Sequence, residues 1–225
     1  MAKKRIDFYF DVISPYSWIA FEALQQLENQ WQGVEFRYIP FFLRNVMTTC
    51  GNRPPAMLPN RGRMLAKDIK RSANYWGMQI RNPPKFIEWI LQYTTEDALK
   101  LLIVIEKKFG TGKMLETARV MWTRLWFESE KIFEASDFEI ILKKVGIKAS
   151  DVVPKIADPE VSKILEQNNE EVNSSHGYGA PWFCVHTPDG KMHQIFGSDR
   201  FHIIAELLDL PQPLPQKYLQ LESKL

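Results

Sequence analysis

Residues 5–18 read Arg5-Ile6-Asp7-Phe8-Tyr9-Phe10-Asp11-Val12-Ile13-Ser14-Pro15-Tyr16-Ser17-Trp18. Ile6, Phe8 and Phe10 alternate with Asp7, Tyr9 and Asp11, which is the period of a strand rich in aromatic residues. Ser14-Pro15 ends that strand and begins something else. Serine suits the N-cap of a helix, and proline suits the first helical position, where an N–H has no use. The helix is expected to run to about Trp31, with Trp18, Phe21, Leu24, Leu27 and Trp31 on its buried stripe. Val34 to Pro40 then reads as a second strand, and the whole is short enough to be one βαβ unit.

Outward from this unit the pattern changes. From about Met64 to Ser174 it is helical, with helices expected over Leu99–Phe109, Met114–Phe133, Phe138–Val145 and Val161–Val172. Gly110-Thr111-Gly112-Lys113 resembles a fragment of a phosphate loop, but it lacks the upstream glycine spacing and the following Ser or Thr, so it reads as a helix–helix turn. Strand character returns at Trp182–His186, turns at Thr187-Pro188-Asp189-Gly190 and continues over Lys191–Phe196. Ser198-Asp199 is expected to cap a last helix, Arg200–Leu208. Neither end has enough apolar sequence for its own core. The expected fold is therefore α/β: a thioredoxin-like domain formed by residues 1–63 and 175–225, with an all-helical domain of residues 64–174 inserted.

Composition excludes several classes of function. Among 225 residues, Lys plus Arg is 29 and Asp plus Glu is 27, a net charge of +2 that excludes binding to nucleic acid by bulk charge. The only cysteines, Cys50 and Cys184, are far apart, so there is neither a CxxC dithiol nor a cysteine-based zinc cluster. His176, His186, His193 and His202 lack the spacing of metal ligands, and no metal is expected. No apolar run is long enough to span a membrane. The basic start, Met1 to Arg5, lacks the features of a signal peptide. Ser223-Lys224-Leu225 spells a peroxisomal address for an import receptor, and Pro211, Pro213 and Pro215 are expected to hold it on an extended arm.

In a thioredoxin-type order the chemistry sits at the start of the first helix, where the N-terminal N–H groups and the dipole favour a thiolate. This chain places Ser14-Pro15-Tyr16-Ser17 there instead of a dithiol. Serine has no redox chemistry, but its hydroxyl can donate a hydrogen bond to a thiolate that another molecule brings.

The stretch Phe8 to Trp18, the block Gly51-Asn52-Arg53-Pro54-Pro55 and the block Phe196-Gly197-Ser198-Asp199-Arg200 together resemble the kappa-class glutathione S-transferases, and the resemblance covers essentially the whole chain. The 2-hydroxychromene-2-carboxylate isomerases share the opening motif. The resemblance implies a detoxifying transferase that conjugates glutathione, as co-substrate, to small electrophiles, and that works as a homodimer in peroxisomes or mitochondria. It implies that Ser14 bonds the glutathione sulfur, that Pro15 and Tyr16 line the same site, and that Asn52 contacts glutathione. It implies that Pro181 is cis, that the main chain of Ala180 binds the cysteinyl unit, and that Ser198 and Asp199 hold the γ-glutamyl end. The family usually carries a larger apolar residue where this chain has Ala180. Arg61 reads either as a partner for a glutathione carboxylate or as a solvated charge. Cys50 reads either as a buried inert thiol or as a site of mixed disulfide formation. Two other functions fit the same residues: a glutathione-dependent isomerase, and a glutathione-binding peroxisomal interaction protein.

Overall fold

The computed structural model describes residues 3–222, so Ser223-Lys224-Leu225 lies outside the described residues. Strand β1 (Lys4–Phe10) leads into helix α1 (Pro15–Leu27) and strand β2 (Val34–Pro40), which pairs parallel to β1 from Lys4↔Val34 to Phe10↔Pro40. Strand β3 (Trp182–His186) lies antiparallel on the other side of β1, and β4 (Met192–Phe196) is antiparallel to β3. The sheet order is β2-β1-β3-β4. Two chain segments some 140 residues apart thus share one sheet, as the split pattern of strand signals requires.

Side-chain alternation divides the sheet into two faces. On one, Ile6, Phe8 and Phe10 join Phe183 and Val185 in the main core, beneath Phe21 and Leu24 of α1. Phe8 stacks on Phe183 with ring centroids 5.2 Å apart. On the other, Tyr9, Ile39, Trp182 and Cys184 are covered by Val172, while Asp7 is bracketed by Arg5, Arg37 and His186.

Between β2 and β3 run α2 (Leu43–Thr49), α3 (Pro59–Tyr75), α4 (Phe86–Gln92), α5 (Glu96–Phe109), α6 (Thr111–Trp126), α7 (Ala135–Lys144) and α8 (Pro159–Ser174). Helix α3 crosses the expected boundary at residue 63. Helices α5 and α6 meet at Gly110, whose φ of +86° lets the chain reverse within one residue. Trp122 of α6 is fully buried, 5.3 Å from Phe10 and 5.2 Å from Phe21 by ring centroids, so the helical segment and the sheet share one core.

Most helix ends differ from expectation by a few residues, and at three places the structure shows a larger departure. Helix α1 stops at Leu27, and Trp31 is buried through the following turn, its indole N–H donating to Pro211 O at 2.9 Å. Helix α6 stops at Trp126, because Arg124 Nε turns to Lys131 O at 2.6 Å and Asp137 takes the N–H groups of Phe133 and Glu134. Helix α9 (Phe201–Leu207) is followed by α10 (Gln216–Glu222), and the proline-rich link between them is held to the turn after α1 through Trp31 and a Gln30–Leu214 O bond of 2.9 Å.

Candidate functional site

Helix α1 begins where β1 ends, so its N-terminus opens at one end of the sheet. Ser14 is the N-cap, with φ −87° and ψ 117°, and its Oγ accepts the Ser17 N–H at 3.1 Å. Pro15 follows at the first helical position. The Ser14 hydroxyl donates to Ala180 O at 3.4 Å, a long bond that is weak by geometry. The Ala180–Pro181 peptide is cis. The Ala180 N–H makes no hydrogen bond within the described residues and stays available to a ligand.

Ser198, Asp199 and Asn52 are tied to the segment that carries Ala180. Pro181 O accepts the Gly197 N–H at 3.2 Å, which sets Ser198 and Asp199 beside the Ala180–Pro181 peptide. Gly197 has φ +99°, and a Cβ there would lie 2.6 Å from Asp199 Oδ1, so the close return of this carboxylate requires glycine. Ser198 is buried and Asp199 is exposed, in an ion pair with Arg200. Neither caps helix α9. Its N-cap is Arg200, without a side-chain bond, so the expectation of a Ser198-Asp199 cap is corrected, and the Ser198 and Asp199 N–H groups are not spent within the described residues. Asn52 reaches the site from the loop after α2: its Nδ2 donates to Tyr178 O at 2.7 Å and its Oδ1 accepts the Arg53 N–H at 2.8 Å.

Tyr16 is half-buried and its hydroxyl donates to Asp68 of α3. Burial and then Asp68 push its ionisation far above the ordinary tyrosine range, with Asp199 adding to the effect. Tyr16 is therefore a fixed donor, not a base. Arg61 lies two turns N-terminal to Asp68 on the same side of α3, exposed and without an ion pair among the described residues. Cys50 is exposed, not buried, because it is the C-cap of the short α2, where the chain turns at Gly51.

One supporting residue was not singled out from the sequence. Asp11 is fully buried, and its carboxylate accepts from Ile13 N, Leu43 N and Thr95 Oγ1, each at 3.0 Å. It thereby ties the turn before Ser14 to the starts of α2 and α5. Desolvation raises its pKa to about 6, against the lowering effect of the three bonds. The signal in the sequence was an acid at the end of an aromatic strand, three residues before an N-cap. A cavity of about 430 Å³ opens at the Arg5–His186 end of the sheet, and one of about 260 Å³ runs along the sheet face from Arg5 to Tyr9 and Glu171.

A DSBA-like thioredoxin domain matches residues 5–209. Glutathione S-transferase kappa 1 of Caenorhabditis elegans is 54% identical over 98% of both chains, and Glutathione S-transferase kappa 1 of Homo sapiens is 31% identical over 91% of both. Among solved structures, a 2-hydroxychromene-2-carboxylate isomerase superposes with a TM-score of 0.76 at 17% identity over 98% of each chain. The cytosolic disulfide reductase DsbM from Pseudomonas aeruginosa with GSH superposes with a TM-score of 0.60 at 13% identity, over 98% of this chain and 100% of that one. The two structures speak for the fold and the curated relatives for the family. At 54% and 31% identity over nearly the whole chain, this protein belongs to the kappa class of glutathione S-transferases.

Proposed function

We propose that this enzyme binds glutathione across the Ser14–Ala180 cleft, holds it as the thiolate and adds it to small electrophiles. The observation that carries this reading is the state of the Ser14 hydroxyl. It already accepts the Ser17 N–H, which polarises it as a donor, and its own proton is committed only to the long contact with Ala180 O. A thiolate placed at the mouth of α1 would take that proton's hydrogen bond in exchange. The Tyr16 N–H, unpaired within the described residues, points the same way as the helix dipole.

The magnitudes suffice. A free thiol has a pKa of about 8.5, and lowering it by about two units takes roughly 2.7 kcal/mol of preference for the thiolate. A hydroxyl bond to a charged partner supplies about 1.5–3 kcal/mol and a helix terminus about 0.3–1 kcal/mol. No general base is required, which fits the protonated state of Tyr16.

In the same reading the Ala180 N–H pairs with the cysteinyl carbonyl of glutathione. The free N–H groups at Ser198 and Asp199 receive the γ-glutamyl carboxylate, and Asp199 shares its charge between Arg200 and the ammonium. Arg61 and Asn52 close the glycyl side. Replacing the usual larger residue by Ala180 leaves these main-chain contacts in place. A homodimer belongs to this reading too and is checked by light scattering. The deciding experiment titrates the ultraviolet thiolate band of bound glutathione. A band present near neutral pH supports the transferase, and binding without it reduces the protein to a glutathione carrier. Substrate loss without net glutathione consumption would convert the reading to an isomerase working by reversible thiol addition.

A further inference from the structure

Helix α3 carries Arg61, Arg63, Lys67, Lys70 and Arg71 against a single acid, Asp68. With Arg53, residues 53–71 hold six cations and one acid, a net of +5 in a chain whose total is +2, so the remainder carries −3. Ile69 and Ala73 are the buried positions of α3. At the helical period, Arg63, Lys67 and Arg71 fall on the arc away from Ile69, with Lys70 at its edge, all within about 12 Å along the axis. All four are exposed, and none forms an ion pair or hydrogen bond among the described residues. Arg63 and Lys67, and Lys67 and Arg71, stand four apart and repel each other. Asp68, which would relieve this, is turned to Tyr16.

Apolar side chains are exposed close by. Met64 on the same arc is 52% exposed, and Met57 and Leu58, in the turn that leads into the helix, are 53% and 39% exposed. At its C-terminal end Tyr75 and Tyr218 are exposed and pack together at 5.9 Å, with Lys217 Nζ 4.9 Å from the Tyr218 ring. A surface made to hold nucleic acid needs the cations and does not need exposed methionines. Cations between flexible apolar side chains at one end and tyrosines at the other are what a helix lying in a lipid headgroup layer requires.

We propose that the outer face of α3 docks the protein on an anionic lipid membrane, with Lys67, Lys70 and Arg71 meeting the headgroups and Met57, Leu58 and Met64 entering the acyl boundary. The docking is independent of the transferase chemistry. Because Asp68 of the same helix holds Tyr16, a docked α3 sets the site entrance beside the bilayer, where apolar electrophiles concentrate.

The test is sedimentation of the full chain with vesicles of phosphatidylcholine alone and of phosphatidylcholine with phosphatidylserine. Binding is expected only with phosphatidylserine, and it is expected to weaken with added salt. Each neutralised cation should reduce partitioning about 5-fold, the equivalent of about 1 kcal/mol, so Lys67→Gln with Lys70→Gln and Arg71→Gln should reduce it about 100-fold. Met57→Ser with Met64→Ser keeps every charge and should also weaken binding. Far-ultraviolet circular dichroism and glutathione affinity should be unchanged in both. Absence of phosphatidylserine-dependent binding overturns the proposal, as does full binding by either variant. Equal displacement by duplex DNA, with no loss in the methionine variant, would reassign the face to polyanions in general and overturn the membrane assignment.

Discussion

The Ser14 hydroxyl and the Ala180 carbonyl oxygen, 166 residues apart in sequence, face each other at 3.4 Å across the mouth of helix α1. The contact joins the βαβ end of the chain to the segment that enters β3, and it leaves the serine proton easily redirected. Ser14→Ala should raise the pKa of bound glutathione by about 1–2 units, the equivalent of losing one hydrogen bond to a charged group. It should also cost about 1 kcal/mol of stability, because the Ser17 N–H loses its cap. Ser14→Thr should restore the cap and most of the acidification. A thiolate titration unchanged in Ser14→Ala would refute the role assigned to this hydroxyl.

Asp11 gives stability a pH dependence of defined sign. Its pKa is raised to about 6 from 3.8, so the folded protein binds a proton more tightly than the unfolded chain. The contribution is full below about pH 4 and is lost as pH rises through about 6, by up to about 3 kcal/mol. Denaturant titrations at pH 4.5 and pH 7 should show this slope in the parent and its loss in Asp11→Asn. That variant should be less stable at low pH by about 1–3 kcal/mol, since the amide Nδ2 accepts nothing, whereas the hydroxyl of the protonated acid can still accept one of the bonds from Ile13 N, Leu43 N and Thr95 Oγ1. A slope that persists in Asp11→Asn would place its origin in other groups.

Asn52 acts on the site through Tyr178. Its amide bond to Tyr178 O holds the segment that leads to Ala180, and the bond is exposed and neutral, worth about 0.5–1.5 kcal/mol. Asn52→Ala should therefore raise KM for glutathione about 2- to 10-fold with little change in kcat. Asn52→Asp should do worse than alanine, because a carboxylate would then face the carbonyl of Tyr178. Equal kinetics for the two variants would mean that this bond does not position the loop.

Much of this arrangement was legible in the sequence. The aromatic alternation of residues 5–12 and the Ser14-Pro15 pair define β1, the N-cap and the first helical position, because strand period and capping are local properties. The helical segment was legible as helices but not in its ends. Arg124 and Asp137 terminate α6 through side-chain bonds to the main chain, which hydrophobic periodicity does not register. The same holds for Asp11 and Asp68, whose partners lie in other elements: Leu43 and Thr95 for one, Tyr16 for the other. The assumed Ser198-Asp199 cap failed because serine and aspartate are good caps in general, while the chain spends one more residue, Arg200, before α9 begins.

Gly179 offers a test of how the aromatic rim supports the Ala180 main chain. Phe196 lies over it so closely that a Cβ would sit 2.7 Å from the ring, and Tyr178 packs on the same ring at 4.7 Å. The ring belongs to β4 and the glycine to the segment entering β3, so the contact fixes that segment against the sheet one residue before Ala180. Gly179→Ala must push the ring or the backbone aside, at about 1–3 kcal/mol, and should raise KM for glutathione as Ala180 shifts. Phe196→Ala alone removes the ring and costs part of the rim. In the double variant the new methyl has space, so the two losses should sum to more than the loss observed, with a coupling of about 1 kcal/mol or more. Melting temperatures and glutathione affinity of all four proteins complete the cycle. Strict additivity would show that the ring and the glycine act separately and that Ala180 is positioned by the Ser14 contact and the Pro181 O–Gly197 bond alone.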